Sequence, residues 1–268
     1  MRLSYPTTPD GKPPRMNFPE LVPEPDAGRL YRSERKIRLA DVAVDGRLRL
    51  DAIARFMQDV ASDDVDDAEA DDGSLTWVVR RTAIDVVSPF ARDQVVALST
   101  WASGSGSHWA ARRTSIAGDA GGRGEAESIW VLIDRATSSL ARLPAGFEAV
   151  YGPSTGGRRV SARLDLAPEP APGATQVPWP LRTADIDTLG HANNAVYWAA
   201  IETALAVAAD DGGVRARLRL QGVLEYRRPV DLTSELTLAI ASAGSELHVW
   251  FIDSGATAAC AAIRRLDD

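Results

Sequence analysis

Apolar residues change their spacing along the chain, and each spacing predicts a different element. Within residues 48–60 they recur at helical spacing and share one face, at Leu50, Ile53, Phe56, Met57 and Val60. Around this predicted helix, runs rich in β-branched and aromatic residues predict strands. These predicted strands cover residues 33–40, 75–87, 94–101, 108–116 and 127–133. A second helix is predicted over residues 195–209.

The second half of the chain repeats the order of the first. A shift of 144 residues (185 − 41 and 190 − 46) places Asp41 on Asp185 and Gly46 on Gly190. A shift of 140 places Pro89 on Pro229, so one loop differs in length between the halves. Each unit then consists of a strand, a central helix and further strands that can pair antiparallel. A two-layer α+β packing would bury the apolar faces of both kinds of element.

Segments rich in proline and glycine divide the chain. We expect an extended N-terminal segment over residues 1–30 and a first unit over 31–151. A linker over 152–176, dense in Gly, Pro, Ala and Ser, precedes a second unit over 177–268. The acidic stretch 59–72 is predicted to be a solvated loop or helix end.

Composition narrows the class of protein. The net charge of −7 argues against nonspecific nucleic-acid binding. No stretch approaches the roughly 18 apolar residues of a membrane span, and the polar N-terminus lacks a secretory signal. The single cysteine, Cys260, indicates a reducing cytoplasm, and 28 arginines against two lysines indicate a GC-rich bacterial genome. No metal-ligand spacing or nucleotide-binding loop is present, so we expect no metal and no cofactor.

The string Asp-Ile-Asp-Thr-Leu-Gly-His-Ala-Asn-Asn at residues 185–194 stands directly before the second predicted helix. Gly190 permits a tight turn, and the helix start offers free backbone N–H groups at the positive end of the dipole. Asp185, Asp187 and His191 lie within a few residues of that start. A base or nucleophile beside preorganised N–H donors is the minimum needed for attack on a thioester carbonyl.

A structural interpretation of the same residues stays open. Aspartate before a helix is a common N-cap, and Asn193 and Asn194 favour turns. One cap needs one acceptor, however, and the string contains several. The other two histidines, His108 and His248, fall in predicted strands, where we expect satisfied surface or core side chains.

The string resembles the hotdog-fold thioesterase signature Asp-x-Asp-x-x-Gly-His-x-Asn-Asn, which an aromatic residue follows, here Tyr197. Further segments resemble acyl-acyl-carrier-protein (acyl-ACP) thioesterases in the same order, at residues 75–81, 99–106, 126–133, 142–144 and 224–228. The resemblance extends over residues 33–265. It implies an α+β fold of two tandem hotdog units, each an antiparallel sheet wrapped around a central helix. It also implies hydrolysis of acyl-ACP or acyl-coenzyme A thioesters to free fatty acid and thiol.

The resemblance further implies site roles. Asp187 would be the catalytic carboxylate, by activating water or by direct attack, and His191 would orient or polarise the substrate. Backbone N–H groups near Gly190 and His191 would form the oxyanion site. We assign Asn194, Tyr197 and Glu225 to substrate binding, and expect Phe56 and Met57 of the first helix to limit the acyl tunnel.

Two positions depart from the pattern of the plant members of that family. Leu189 stands where they have an asparagine, and we expect Asn193 to take over part of that polar role. Pro229-Val230 stands where they have Glu-Cys, so a cysteine mechanism is not available.

The first unit lacks the catalytic carboxylate. At the shift of 144, Ala43 replaces Asp187 and Arg47 replaces His191. We therefore expect the first unit to supply walls of the pocket, and one active site per chain at the junction of the units.

Two other functions remain open at this stage. Hotdog hydratases and dehydratases also pair aspartate with histidine on this helix, and an acyl-thioester binding protein without turnover would retain the pocket. The expected partner is an acyl-ACP or acyl-coenzyme A substrate, and the chain is expected to be a monomer or a homodimer.

Overall fold

The computed structural model describes residues 16–68, 73–208 and 219–266. Its strands form one continuous antiparallel sheet in the order β1-β3-β4-β5-β2-β7-β10-β9-β8-β6. The strands are β1 (Tyr31–Lys36), β2 (Leu75–Ser88), β3 (Val95–Ser105), β4 (Trp109–Gly118), β5 (Arg123–Asp134), β6 (Thr175–Pro178), β7 (Leu220–Tyr226), β8 (Thr237–Ala243), β9 (Glu246–Asp253) and β10 (Ala256–Arg265). The α-helices are α1 (Leu50–Asp67), α2 (Ala145–Tyr151) and α3 (Asn194–Val207).

The two halves of the sheet are built alike. In the first half the order is β1-β3-β4-β5-β2, and from the opposite edge the second half is β6-β8-β9-β10-β7. The halves meet where β2 pairs with β7, with Arg81 opposite Glu225 and Val86 opposite Leu220. The predicted α+β class, with an antiparallel sheet and a central helix in each unit, is confirmed.

Helices α1 and α3 share one core. Ile53 and Phe56 of α1 and Trp198 and Ile201 of α3 are almost fully buried in a single cluster that crosses the junction of the units. Gly222 of β7 permits this packing, because a Cβ there would lie 2.8 Å from Ile263 Cδ1 and 3.1 Å from the Trp198 ring. The apolar stripes of both helices thus cover the same face of the sheet.

The first helix is longer than its pattern predicts. It continues to Asp67 through most of the acidic stretch that we expected to be solvated. Asp64 within it is fully buried, and two arginines compensate its charge: Arg29 Nε lies 2.5 Å and Arg112 Nη1 lies 2.6 Å from its carboxylate. For Asp64 the prediction was therefore wrong; residues 69–72 of the stretch lie outside the described residues.

Two irregular segments cover the outer face of the sheet. The segment before β1 is fixed where Arg113 Nε donates to Val22 O at 3.0 Å. The segment between α2 and β6 is fixed by Glu225, whose carboxylate accepts from Asp165 N at 2.6 Å and Leu166 N at 3.1 Å. Within the described ranges, no helix is long and apolar enough to cross a membrane.

Candidate active site

The two halves contain equivalent turns before their central helices. Asp185 accepts from Arg182 N at 2.8 Å, and Asp41 accepts from Arg38 N at 2.9 Å. Burial alone would raise the pKa of Asp185, but hydrogen bonds and the charge of Arg182 lower it overall. Asp41 makes the same contact in the half that lacks the motif. Each of these two aspartates therefore has a structural role in its own turn.

Asp187 is held by the turn that follows. Gly190 has φ +78°, a conformation that favours glycine, and its N–H donates to Asp187 O at 3.0 Å. The Asp187 carboxylate oxygen Oδ1 accepts from Leu189 N at 2.9 Å and from His191 N at 3.4 Å. No partner of Oδ2 is found in the described part of the chain.

These bonds correct the expected oxyanion site. The N–H groups of Gly190 and His191 both donate to Asp187, so neither is free for a substrate. Asn193 is likewise occupied: it is the N-cap of α3, and its Oδ1 accepts from Ala195 N at 2.9 Å. The next N–H, that of Asn194, has no acceptor within the described ranges. The open donor at this helix start is therefore Asn194.

A cavity of about 630 Å³ reaches this helix start. It extends between α1, α2 and the strands β2, β3, β4 and β5, and these strands all belong to the first half of the sheet. From the second half, Asp187, Leu189 and Asn194 line it. Its apolar lining includes Ala61, Val65, Leu75, Trp77, Ala102, Ala110, Ala111, Trp130, Leu132, Phe147 and Val150. The first half thus supplies most of the wall, and the motif supplies the mouth.

Several residues assigned to substrate binding lie elsewhere. Tyr197 is 5% exposed and packs edge-on against Tyr226 and Phe251, and burial raises its pKa. Phe56 is 1% exposed in the core. Glu225 is buried on the outer face, where it binds the segment 152–176 and burial raises its pKa. Met57 lines a small cavity of about 20 Å³ beside the large pocket.

His191 also stays outside the lining of the large pocket. Its backbone completes the turn, because Asp187 N donates to His191 O at 2.8 Å. Hydrogen bonds from Thr233 are the main cause that lowers the pKa of the Asp231 carboxyl, and the nearby His191 ring contributes a smaller lowering. The side chain is half-buried. His191 therefore shares the turn of Asp187, but its side chain does not line the large pocket.

The pocket wall contains a partly buried cation that the sequence did not reveal. Arg112 lines both cavities, binds Asp64 and lies over the Tyr151 ring at 5.5 Å from its centroid. Gln58 of α1 also lines both cavities and was missed. A polar residue on an otherwise apolar helical face was the available signal.

Among the described residues, no group of three or more His, Cys, Asp or Glu could hold a metal ion. Cys260 is buried, and burial raises the pKa of its thiol to about 11. Val230, at the position of the family cysteine, is 1% exposed, and its carbonyl accepts from Ala192 N at 2.7 Å.

Two family models match this chain. The acyl-ACP thioesterase N-terminal domain matches residues 28–151, and the acyl-ACP thioesterase C-terminal domain matches residues 170–262. The chain belongs to the acyl-ACP thioesterase family. An uncharacterised protein of Mycobacterium tuberculosis is 30% identical over 247 residues, covering 92% of this thioesterase and 96% of that protein.

Solved structures share the fold. A 12:0-ACP thioesterase from Umbellularia californica matches with a TM-score of 0.72 at 22% identity, covering 89% of this chain and 98% of that one. An acyl-ACP thioesterase from Bacteroides thetaiotaomicron matches with a TM-score of 0.70 at 18% identity, covering 88% and 98%. The double hotdog fold is thereby confirmed, and this thioesterase is a hydrolase of acyl thioesters.

Proposed function

We propose that this thioesterase binds the acyl chain of a fatty acyl thioester in the pocket of the first unit. The thioester carbonyl would lie between Asp187 and the N-terminus of α3. The observation that carries the proposal is that Asp187 and Asn194 line the same largely apolar cavity of about 630 Å³. This volume falls in the range of small-molecule pockets, roughly 300–1,000 Å³.

Asp187 is the proposed base. Two backbone N–H groups fix Oδ1, which orients the carboxylate with Oδ2 available for a water molecule. Water gives a proton to Oδ2 while its oxygen bonds to the carbonyl carbon. The C–S bond then breaks, and the proton passes to the departing thiolate. The products are the free fatty acid and the thiol.

Direct attack by Oδ2 on the carbonyl carbon is the alternative route. It would release the thiol first and leave a mixed anhydride on Asp187, which water would hydrolyse. The routes differ in the covalent intermediate, so a rapidly quenched single turnover in ¹⁸O-water separates them. Thiol release ahead of fatty acid release, or label in the Asp187 carboxylate, indicates direct attack. Simultaneous release of both products with label in the fatty acid alone indicates base catalysis, because hydrolysis of an anhydride at its fatty acyl carbon would also label only the fatty acid but would follow thiol release.

Asn194 N–H is the proposed oxyanion donor. It is the open donor at the helix start, and the positive end of the α3 dipole favours developing negative charge there. We assign His191 to the mouth, where it would contact the thioester or the pantetheine arm as the substrate enters. A His191→Ala change that left both kcat and KM unaltered would remove that assignment.

The finer biological setting is also proposed from composition and family. We propose acyl-ACP as the carrier, a role in fatty acid biosynthesis in a bacterial cytoplasm, and a monomer or homodimer. We also propose units over residues 31–151 and 177–268, joined by the segment 152–176. The family relationship supports the carrier, and the single buried cysteine is compatible with a reducing compartment.

The test is release of free thiol from dodecanoyl and hexadecanoyl thioesters of both acyl carrier protein and coenzyme A. We expect turnover by the wild type and higher kcat/KM with the carrier protein. Binding of all four substrates without thiol release would instead identify an acyl-thioester binding protein.

A further inference from the structure

The N-terminus of α1 is closed by a residue of α3. Glu202 Oε1 accepts from the Leu50 N–H at 2.8 Å, and the same carboxylate forms an ion pair with Arg47. Leu50 is the first residue of α1. The N–H that could polarise a substrate at this helix start is therefore already bonded to a carboxylate from the other unit.

The catalytic half contains the equivalent positions with different chemistry. The shift of 144 places Leu50 on Asn194 and Gln58 on Glu202 (194 − 50 and 202 − 58). Gln58 and Asn194 line the same two cavities. Neither the Gln58 amide nor the Asn194 N–H has a partner within residues 16–68, 73–208 and 219–266.

The difference between glutamate and glutamine has a chemical consequence. A carboxylate at position 58 could only accept, so it could bond the Asn194 N–H as Glu202 bonds Leu50, and it would add a second negative charge to the pocket that Asp187 lines. A carboxamide can donate through Nε2. Its oxygen could also accept, but the Gln58 amide and the Asn194 N–H are not bonded to each other within the described ranges, so both can donate into the pocket that they line.

We propose that Gln58, contributed by the first unit, is a catalytic residue that donates a hydrogen bond from Nε2 to the thioester carbonyl oxygen together with Asn194 N–H. This inference rests on the proposed function of the same site. The first unit then supplies part of the reaction centre in addition to the pocket wall.

Turnover provides the first test, using dodecanoyl- and hexadecanoyl-coenzyme A as probes. Removing one oxyanion donor lowers kcat by about 10²–10³-fold, so we expect a loss of this order for Gln58→Leu with little change in KM. The loss should be the same for both chain lengths. Ser62→Leu is the matched control, since Ser62 lies one turn further along α1 and lines the same pocket. It should change the preference between chain lengths, which the loss of an oxyanion donor should not do.

Binding provides a second test that is independent of turnover. S-dodecyl-coenzyme A, a thioether, lacks the carbonyl, whereas its 2-oxo ketone analogue retains a carbonyl oxygen near the thioester position. We expect Gln58→Leu to weaken binding of the ketone analogue several-fold and to leave binding of the thioether unchanged. Gln58→Glu should show the same selective loss, and thermal unfolding checks that both variants are folded.

Three results are decisive. A wild-type kcat in both Gln58 variants would overturn the proposal. The proposal would also be overturned if Gln58→Leu weakened binding of the ketone and of the thioether equally and lowered kcat in a way that depends on chain length, as Ser62→Leu does. Gln58 would then only line the pocket. No thiol release by the wild type from any acyl thioester would overturn the proposed function itself, and the role of Gln58 with it.

Discussion

The guanidinium of Arg47 and the carboxylate of Glu202 form a two-armed ion pair that joins the turn before α1 to the middle of α3. The Arg47 side chain is 5% exposed and that of Glu202 is 13% exposed. Arg47 occupies the position of His191 in the catalytic half. The ion pair therefore closes the position where a second active site would lie and fixes the two helices against each other.

Removing one partner of this ion pair should destabilise the fold and spare catalysis. Loss of one member of a buried pair typically costs about 3–5 kcal/mol, because the other charge stays buried without compensation. We expect a decrease of this order in the unfolding free energy of Glu202→Gln by urea denaturation, with kcat within about twofold of wild type. The double variant Arg47→Met/Glu202→Gln should recover part of the stability. A loss of kcat without a loss of stability would contradict the assignment.

Asp64 should be the most sensitive carboxylate of the acidic stretch. It is fully buried between Arg29 and Arg112, so Asp64→Asn should lower the unfolding free energy by about 3 kcal/mol or more. Asp67→Asn is the matched control, since Asp67 also pairs with Arg29 but its side chain is 59% exposed. Exposed pairs contribute about 0–1 kcal/mol. Equal effects of the two changes in urea unfolding would show that Asp64 is not buried as described.

Filling the large pocket at Ala110 should shorten the preferred acyl chain. Ala110 lines the cavity and packs with Phe147 and Tyr151. We expect Ala110→Leu to lower kcat/KM for hexadecanoyl thioesters by about tenfold or more relative to shorter ones, since excluding a methylene costs about 1–3 kcal/mol. Ala117→Leu, at an exposed position of the same strand, should leave the ratio unchanged. A chain-length profile unaffected by Ala110→Leu would place the acyl chain elsewhere.

His248 should make stability depend on pH near neutrality. Burial lowers its pKa, although Glu246 Oε2 lies 3.5 Å from Nε2 and acts in the opposite direction. The unfolded chain, with an ordinary value of about 6.5, then binds a proton more readily than the folded one. The contribution of the neutral His248 to the unfolding free energy is therefore complete above that value and decreases as pH falls through it. We expect the unfolding free energy to decrease between about pH 7 and 5.5, and His248→Gln to flatten that dependence.

Local patterns predicted much of the fold, because apolar spacing and turn residues act within a few positions. The start of α1, the Gly190 turn and the repeat by 144 residues were all visible in the sequence. The end of α1 was not, because a run of aspartates is typical of a solvated segment unless distant cations neutralise it. Arg29 and Arg112 do so for Asp64, and no local pattern brings them together.

Parts of the site could not be predicted for a related reason. Tyr197 follows the motif as the family aromatic does, yet the helical period turns it into the core beside Phe251. Asn193 serves α3 as its N-cap, which its spacing alone could not distinguish from a catalytic role. The proposed role of Gln58 could be inferred only from the alignment of the two halves together with the packing of α1 against α3. Tyr197 and Asn193 were thus misassigned because of contacts within their own unit, whereas Gln58 was missed because its proposed role depends on the opposite unit.

The most direct test compares two aspartates of the same motif, Asp187 and Asp185, by thiol release and thermal unfolding of their Asn variants. Asp187 lines the pocket, whereas Asp185 is buried against Arg182 and shapes the turn. We predict that Asp187→Asn lowers kcat by about 10³-fold or more with an unchanged melting temperature, the order expected for loss of a catalytic base. Asp185→Asn should lower the melting temperature and retain most of kcat per folded molecule. Full turnover by Asp187→Asn would contradict the assignment of the active site.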